Sequence, residues 1–336
     1  MKKKTINAVL CKKFDDFLSS ITDEKIKSLV ESNSIITGGS IASMLLKEKV
    51  NDYDIYFTNK ETVKAVAEYY VAKFKKENTH THKDGNKLLI EVVDGVQSNV
   101  IGSVEGRVLI HIKSAGIASE TETNDYQYFE SQSEETTDNW VNQVTENISE
   151  PEEDDEETNF IGIEKEEEGE RYRPIFLTAN AITLSHKVQI IIRFYGEADK
   201  IHENYDFVHC TNYWTSKNRK LILNQPALES LLSRELVYVG SKYPLCSVIR
   251  TRKFLKRGWT INAGQYLKML FQTSKLDLSN IATLEDQLIG VDVAYFSQLI
   301  EGLKKHIKKV NEEAGTEGPA FQLDYGYLAS IIDKIF

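Results

Sequence analysis

The stretch from Ser34 to Phe57 limits what this chain can fold into more than any other. Ser34-Ile35-Ile36-Thr37 is a short run rich in β-branched residues, expected as a strand. Gly38-Gly39-Ser40 follows and reads as a turn. Ile41 to Lys49 reads as a helix with Ile41, Met44, Leu45 and Leu46 on one face. Tyr53 to Phe57 is expected as a second strand, entered by Asp52. Asp52 and Asp54 are two residues apart, so on an extended strand they point to the same face.

Taken singly, a glycine turn or an Asp-x-Asp pair is an ordinary surface feature. Together they point to phosphate chemistry. A glycine turn with serine at a helix start offers backbone N–H groups and a hydroxyl to an anion. Two carboxylates are hard oxygen ligands suited to Mg²⁺, which usually binds one or two of them plus substrate phosphates.

The combination of Gly38-Gly39-Ser40 with Asp52-Tyr53-Asp54 and Ile55-Tyr56-Phe57 resembles the signature of the nucleotidyltransferase superfamily. That superfamily includes DNA polymerase beta, poly(A) polymerases and tRNA CCA-adding enzymes. The two glycines followed by Leu45-Leu46 resemble the CCA-adding and poly(A) branch, but Ile41-Ala42-Ser43 stands where that branch carries an Arg-Asp pair. The resemblance implies an α/β (α+β) fold, a mixed-sheet nucleotidyltransferase domain with a C-terminal helical domain. It implies Mg²⁺, with two ions possible, on Asp52 and Asp54. Gly38, Gly39 and Ser40 are the implied nucleotide-binding turn, with Ser40 and the Gly39 and Ser40 N–H groups on the β- and γ-phosphates. It also implies a third carboxylate from an adjacent strand. By element order the strand Lys187 to Arg193 should supply it, yet that strand carries the neutral Gln189. Asp206, in Tyr205-Asp206-Phe207, is the nearest acidic candidate, and Glu91 is another. The remaining alternative is that no third acid reaches the pair. The catalytic set expected here is Asp52, Asp54 and Asp206.

A second constellation is Arg250 to Trp259. Arg250, Lys253 and Arg257 fall at i, i+3 and i+7 of a predicted helix and share one face. By resemblance they bind triphosphate or acceptor phosphates; the plainer alternative is a solvated basic face. Trp259 and Tyr266 suit stacking on a base, although core packing explains them equally.

The net charge of −10 is unevenly placed. Residues 119–170 hold twenty acids and one base, a net of −19, which leaves 31 acids and 40 bases, a net of +9, elsewhere. A mildly basic remainder fits a partner bearing phosphates. The acidic strip contains the run Glu152 to Glu157 and reads as a mostly disordered insertion. A solvated loop explains it; so does an autoinhibitory mimic of nucleic acid. Three cysteines, Cys11, Cys210 and Cys246, are few, distant and odd in number, which argues for free thiols in a reducing compartment, the cytoplasm. No apolar run approaches the roughly 20 residues of a membrane span. His80-x-His82 and His209-Cys210 are read as a polar loop and a packed segment rather than as metal ligands.

Elsewhere the pattern predicts helices over Cys11 to Ile21, Glu24 to Glu31 and Lys60 to Lys76, and strands over Leu88 to Val93 and Arg107 to Lys113. Pro174 to Leu184 and Lys187 to Arg193 read as two antiparallel strands, and Glu197 to Tyr205 as a short helix. From Gln225 the chain reads as helical: Ala227 to Leu236, Cys246 to Arg257 closed by Gly258, Asn262 to Thr273, Thr283 to Leu288, Val293 to Val310 and Asp324 to Phe336. The expected domains are 1–118 with 171–223, the insertion 119–170, and a helical domain 224–336. The expected function is transfer of a nucleoside monophosphate from a nucleoside triphosphate to a hydroxyl, an RNA or tRNA 3′ end being favoured. A protein or small-molecule acceptor, and a catalytically impaired binding or structural protein, are the alternatives. The Lys/Asn/Tyr-rich composition and the acidic insertion fit a viral or phage source.

Overall fold

In the computed structural model, the described residues are 1–77, 90–96, 107–112, 117–119, 171–178 and 180–278, with the isolated positions 280, 283 and 287. The acidic insertion and the predicted helices 293–310 and 324–336 lie outside them, as does most of 283–288. The chain divides into two compact units, the second containing Asp199–Asn212 and the residues from Leu223 onward.

The first unit is built on a mixed eight-stranded sheet. Its strands are β1 (Ser34–Thr37), β2 (Tyr53–Phe57), β5 (Ile117–Ser119), β6 (Pro174–Thr178), β7 (Ala181–Leu184), β8 (Val188–Tyr195), β9 (Tyr213–Thr215) and β10 (Lys220–Ile222). They lie in the order β10-β9-β1-β2-β8-β7-β6-β5. Only β2 and β8 pair in parallel; every other pairing is antiparallel. Two further strands, β3 (Ile90–Val96) and β4 (Arg107–Ile112), form a separate hairpin.

One row of side chains explains why the sheet holds this register. Leu221, Trp214, Ile36, Ile55, Ile190, Ile182 and Leu177 are successive cross-strand partners, and all are buried. A one-residue slip of any strand would turn its members of this row to the other face. Helices α1 (Lys3–Ser19), α2 (Glu24–Asn33) and α4 (Lys60–Glu77) bury apolar stripes in this unit, with α3 (Gly39–Leu46) between β1 and β2. The α4 stripe is Val63, Val66, Ala67, Tyr70, Val71 and Phe74. Helix α1 begins eight residues earlier than the sequence pattern predicts, because Ile6 and Leu10 continue the buried stripe of Phe14 and Phe17.

Other differences have local causes. Pro174 to Leu184 is two strands, not one, because the Thr178 hydroxyl accepts from the N–H groups of Asn180 (3.2 Å) and Ala181 (3.0 Å) and closes a turn. Helix α3 starts at Gly39 and ends at Leu46, ahead of the expected span. Gly38 takes φ +99°, open to glycine, and Lys47 caps the far end in the left-handed region. The short strands β9 and β10 carry no alternation long enough to announce them.

In the second unit, α6 (Gln225–Ser233) stops at Arg234, whose φ is +51°, and is followed by β11 (Glu235–Leu236). That strand pairs in parallel with β12 (Thr260–Ile261), so the predicted helix to Leu236 is too long. Helix α5 (Ala198–His202) precedes a buried segment whose backbone joins the region after β11. The Val208 N–H donates to the Val237 carbonyl at 3.0 Å and the Val239 N–H to that of Asp206 at 2.9 Å. These bonds place 199–212 in the second unit rather than with the first. Helix α7 (Pro244–Lys256) ends at Gly258, φ +77°, where the sequence pattern expects its stop, and α8 (Ala263–Thr273) follows.

At the centre of this unit His209 is 2 % exposed and lies against Phe254 at 4.7 Å and Trp259 at 4.5 Å, ring centre to ring centre. Burial pushes its imidazole down from 6.5 to about 4, with Asp206 opposing that shift and Arg257 adding to it. Burial likewise pushes His202 down to about 4, against the pull of Asp199.

Two outcomes are expected. Phe14 is fully buried with its ring 5.1 Å from that of Trp214. Phe14→Ala should therefore destabilise the first unit by about 3–5 kcal/mol, read as a shifted urea midpoint. In the second unit the unfolded chain binds a proton on His209 that the folded state refuses. Stability is then complete above about pH 6.5 and falls as the pH drops towards about 4. Thermal melts across that window should show the fall, to which His209 contributes up to about 3 kcal/mol, and His209→Phe should make it shallower, leaving the part that His202 contributes. A variant profile that parallels the wild type would refute this origin.

Candidate nucleotide site

The candidate site lies where β1 ends and α3 begins. Thr37, the last residue of β1, is the cross-strand partner of Asp54, and Asp54 in turn is the parallel-register partner of Gln189 in β8. Gln189 faces Thr183 of β7. Partners in register point to the same face, so Thr37, Asp54, Gln189 and Thr183 form a polar row. Strand alternation puts it opposite the buried apolar row. Thr37 is buried, while Asp54 and Gln189 are half-buried. Asp52 is exposed and precedes β2 on the Asp54 side of the pleat. The Tyr53 N–H donates to the Lys187 carbonyl at 2.7 Å, which fixes the entry of β2 beside the tight β7–β8 turn. His186 and Lys187 in that turn have φ +62° and +58°.

The glycine turn joins this row directly, because only Gly38 separates Thr37 from the first residue of α3. The first N–H groups of a helix have no intrahelical acceptor, and the helix dipole adds positive potential there. Gly38 and Ser40 are buried; Gly39 is exposed. A Cβ built on Gly39 meets no heavy atom of the described residues within 4 Å, and its φ is not positive. Neither backbone conformation nor internal packing therefore demands glycine at this position. Ser40 is 2 % exposed, and its Oγ is a buried atom without a hydrogen-bond partner among the described residues. The turn thus presents backbone at Gly39, with an unsatisfied hydroxyl beneath it.

The donor set suits one Mg²⁺ together with substrate phosphates: two carboxylates, oxygen only, at the edge of a helix N-terminus. Among the described residues no group of three or more His, Cys, Asp or Glu side chains is placed to hold a metal ion.

The other predicted residues belong to other elements. Asp206 is in the second unit and 7 % exposed. One of its oxygens accepts from the Phe207 N–H at 3.0 Å and the other from Arg250 at 2.6 Å. Burial opposes the charge on Arg250, but the Asp206 carboxylate, with smaller contributions from Cys246 and Cys210, raises the guanidinium above its ordinary range. The structure thus brings Asp206 together with Arg250. Lys253 and Arg257 are exposed on and just after α7. Glu91 is exposed on β3, opposite His111 of β4, outside the main sheet. Trp259 is buried in the aromatic cluster, as the packing alternative expected, and Tyr266 is 36 % exposed. The role of the Gln189 register was not readable from sequence beyond strand order, because register is a property of pairing.

No helix among the described residues is long and apolar enough to cross a membrane. Among solved structures, the chain is similar to the Thermotoga maritima CCA-adding enzyme complexed with tRNA, at 12 % identity and a TM-score of 0.35. That alignment covers 95 % of this chain and 65 % of the enzyme. Among curated proteins, it is similar to Gabija anti-defense 2 of Bacillus phage SPbetaL7, 23 % identical over 120 residues. The match takes in 35 % of this chain and spans 30 % of that relative's length. The profile described as Gabija anti-defense 2 family protein matches residues 8–234, which include the glycine turn, Asp52, Asp54, Gln189 and Asp206 but not the basic helix. Matched over more than half its length, the chain belongs to the Gabija anti-defense 2 family.

Proposed function

We propose that this protein is a phage nucleotidyltransferase, dependent on Mg²⁺. In this reading it moves a nucleoside monophosphate from a nucleoside triphosphate to a hydroxyl, in the service of the anti-defence role its family is named for. The observation that carries the reading is the register Thr37–Asp54, which sets a glycine-led helix N-terminus beside a carboxylate pair. The triphosphate lies over Gly39, where the missing side chain leaves room for it. The N–H groups of Gly39 and Ser40 donate to its β- and γ-phosphate oxygens, and the Ser40 hydroxyl gains the partner it lacks. Mg²⁺ held by Asp52 and Asp54 would offset the charge that develops as pyrophosphate leaves. The acceptor hydroxyl oxygen bonds to the α-phosphorus as the bond from that phosphorus to the bridging oxygen breaks, pyrophosphate leaves, and the hydroxyl proton passes to solvent.

The basic balance outside residues 119–170 supports an RNA or tRNA 3′ end as acceptor. Exposed Lys253 and Arg257 are candidate contacts for its phosphates, whereas Arg250 is already held by Asp206. Such substrates place the protein in the host cytoplasm. A second reading, nucleotide binding without turnover, is favoured by the neutral Gln189 beside Asp54.

Incubation with labelled nucleoside triphosphates, Mg²⁺ and mixed RNA acceptors tests the first reading. Label transfer is expected, and Asp52→Ala with Asp54→Ala should reduce it by at least about 100-fold, since even outer partners of a metal site act on that scale. Binding without transfer would support the second reading; neither binding nor transfer would end both. Gly39→Ala separates ligand from scaffold. The methyl enters open space and improves helix propensity, so stability should rise by roughly 0.5–1 kcal/mol. Nucleotide affinity should fall about tenfold, roughly 1.4 kcal/mol. Equal affinity in that variant would show that no phosphate lies over Gly39.

A further inference from the structure

We infer that the nucleotide is held with one divalent cation rather than two, and that Gln189 sets this number. The inference rests on the reading of the site as a nucleoside triphosphate site. Strand β8 alternates: Val188, Ile190 and Ile192 are fully buried, whereas Gln189 and Ile191 are half-buried on the other face. Gln189 therefore shares its face with Asp54, one strand spacing away, in a parallel ladder whose neighbouring pairs Tyr53–Val188 and Ile55–Ile190 fix the register. No position in the sheet adjoins Asp54 more directly on that side.

Two dications about 4 Å apart repel strongly and are held together by anionic oxygens that bridge them or flank both. Asp52 and Asp54 supply two carboxylates. The position best placed to add a third carries an amide, whose oxygen is neutral and whose nitrogen is a donor. The other acids in question are otherwise placed. Asp206 is tied to Arg250 and the Phe207 N–H in the second unit, and Glu91 sits on the separate β3–β4 hairpin. Among the described residues no three-membered metal-ligating group forms. One ion bound by two carboxylates and the phosphates satisfies the usual demands of Mg²⁺. A second ion would have the same two carboxylates to share and, among the described residues, no further carboxylate in register beside Asp54.

The test counts ions, not turnover. The protein is titrated with Mn²⁺ in the presence of the four α,β-methylene nucleoside triphosphates, and bound Mn²⁺ per bound nucleotide is read by electron paramagnetic resonance. One ion is expected for the wild type and for Gln189→Asn. Two are expected for Gln189→Asp, because a carboxylate then stands beside Asp54. Gln189→Glu, which preserves shape, should also give two and guards against a fold disturbed by the shorter side chain. Two ions in the wild type, or one ion in both acidic variants with nucleotide still bound, would overturn the inference while leaving the nucleotide site intact. Absence of any bound nucleotide in the wild type would instead bring down the site reading, and this inference with it.

Discussion

The site depends first on the buried row that runs from Leu221 through Trp214, Ile36, Ile55 and Ile190 to Leu177. These side chains carry no chemistry, yet they decide where the chemistry is. A strand has only two faces, and burying one residue of a pair of neighbours exposes the next. Ile36 and Ile55 locked in the apolar row leave Thr37 and Asp54 as partners on the opposite face. Ile190 locked against Ile55 leaves Gln189 beside Asp54. The polar row is thus a consequence of hydrophobic register, and an error of one residue would scatter it.

The same constraint places the helix. Strand β1 is only four residues long and ends at Thr37, so the chain must turn there, and Gly38 supplies a backbone geometry that residues with a side chain avoid. A helix that starts immediately after such a turn has its first N–H groups two to three residues from Thr37, the cross-strand partner of Asp54. Asp52 and Asp54 lie at the start of that neighbouring strand. Gly39 has no conformational excuse of the kind Gly38 has, and no packing excuse either. A residue that weakens a helix, with no heavy atom of the described residues near its missing side chain, is what the proposed nucleotide site would require.

Much of this was legible in the sequence, for reasons that can be named. Strands Ser34–Thr37 and Tyr53–Phe57 were bounded by glycine and by aspartate, so their limits stood out. The α4 stripe was legible because its apolar residues recur at helical spacing over 18 residues. Strands β9 and β10, three residues each, hold no such repeat. Pro174 to Leu184 is apolar throughout, and only the Thr178 hydroxyl, acting on backbone two and three residues ahead, divides it. Asp206 and Arg250 are 44 residues apart, and no local pattern could announce their pairing. The sequence offered each as a separate functional group, because distance in sequence hides an ion pair.

That pairing gives Asp206 and Arg250 a structural account. A half-exposed arginine against a nearly buried carboxylate that also accepts a backbone N–H is an arrangement in which removing either partner leaves the other poorly satisfied. Asp206 and Arg250 therefore have a sufficient physical reason to be present without any reference to phosphate. The family match extends through Asp52, Asp54, Gln189 and Asp206 and stops before the basic helix that carries Arg250. The matched range holds the glycine turn and the carboxylate pair of this chain. On the proposed reading, whether such a site would turn over a nucleotide or only hold it is then a question about one strand position. At Gln189, replacing the amide with a carboxylate would alter charge and leave shape almost unchanged.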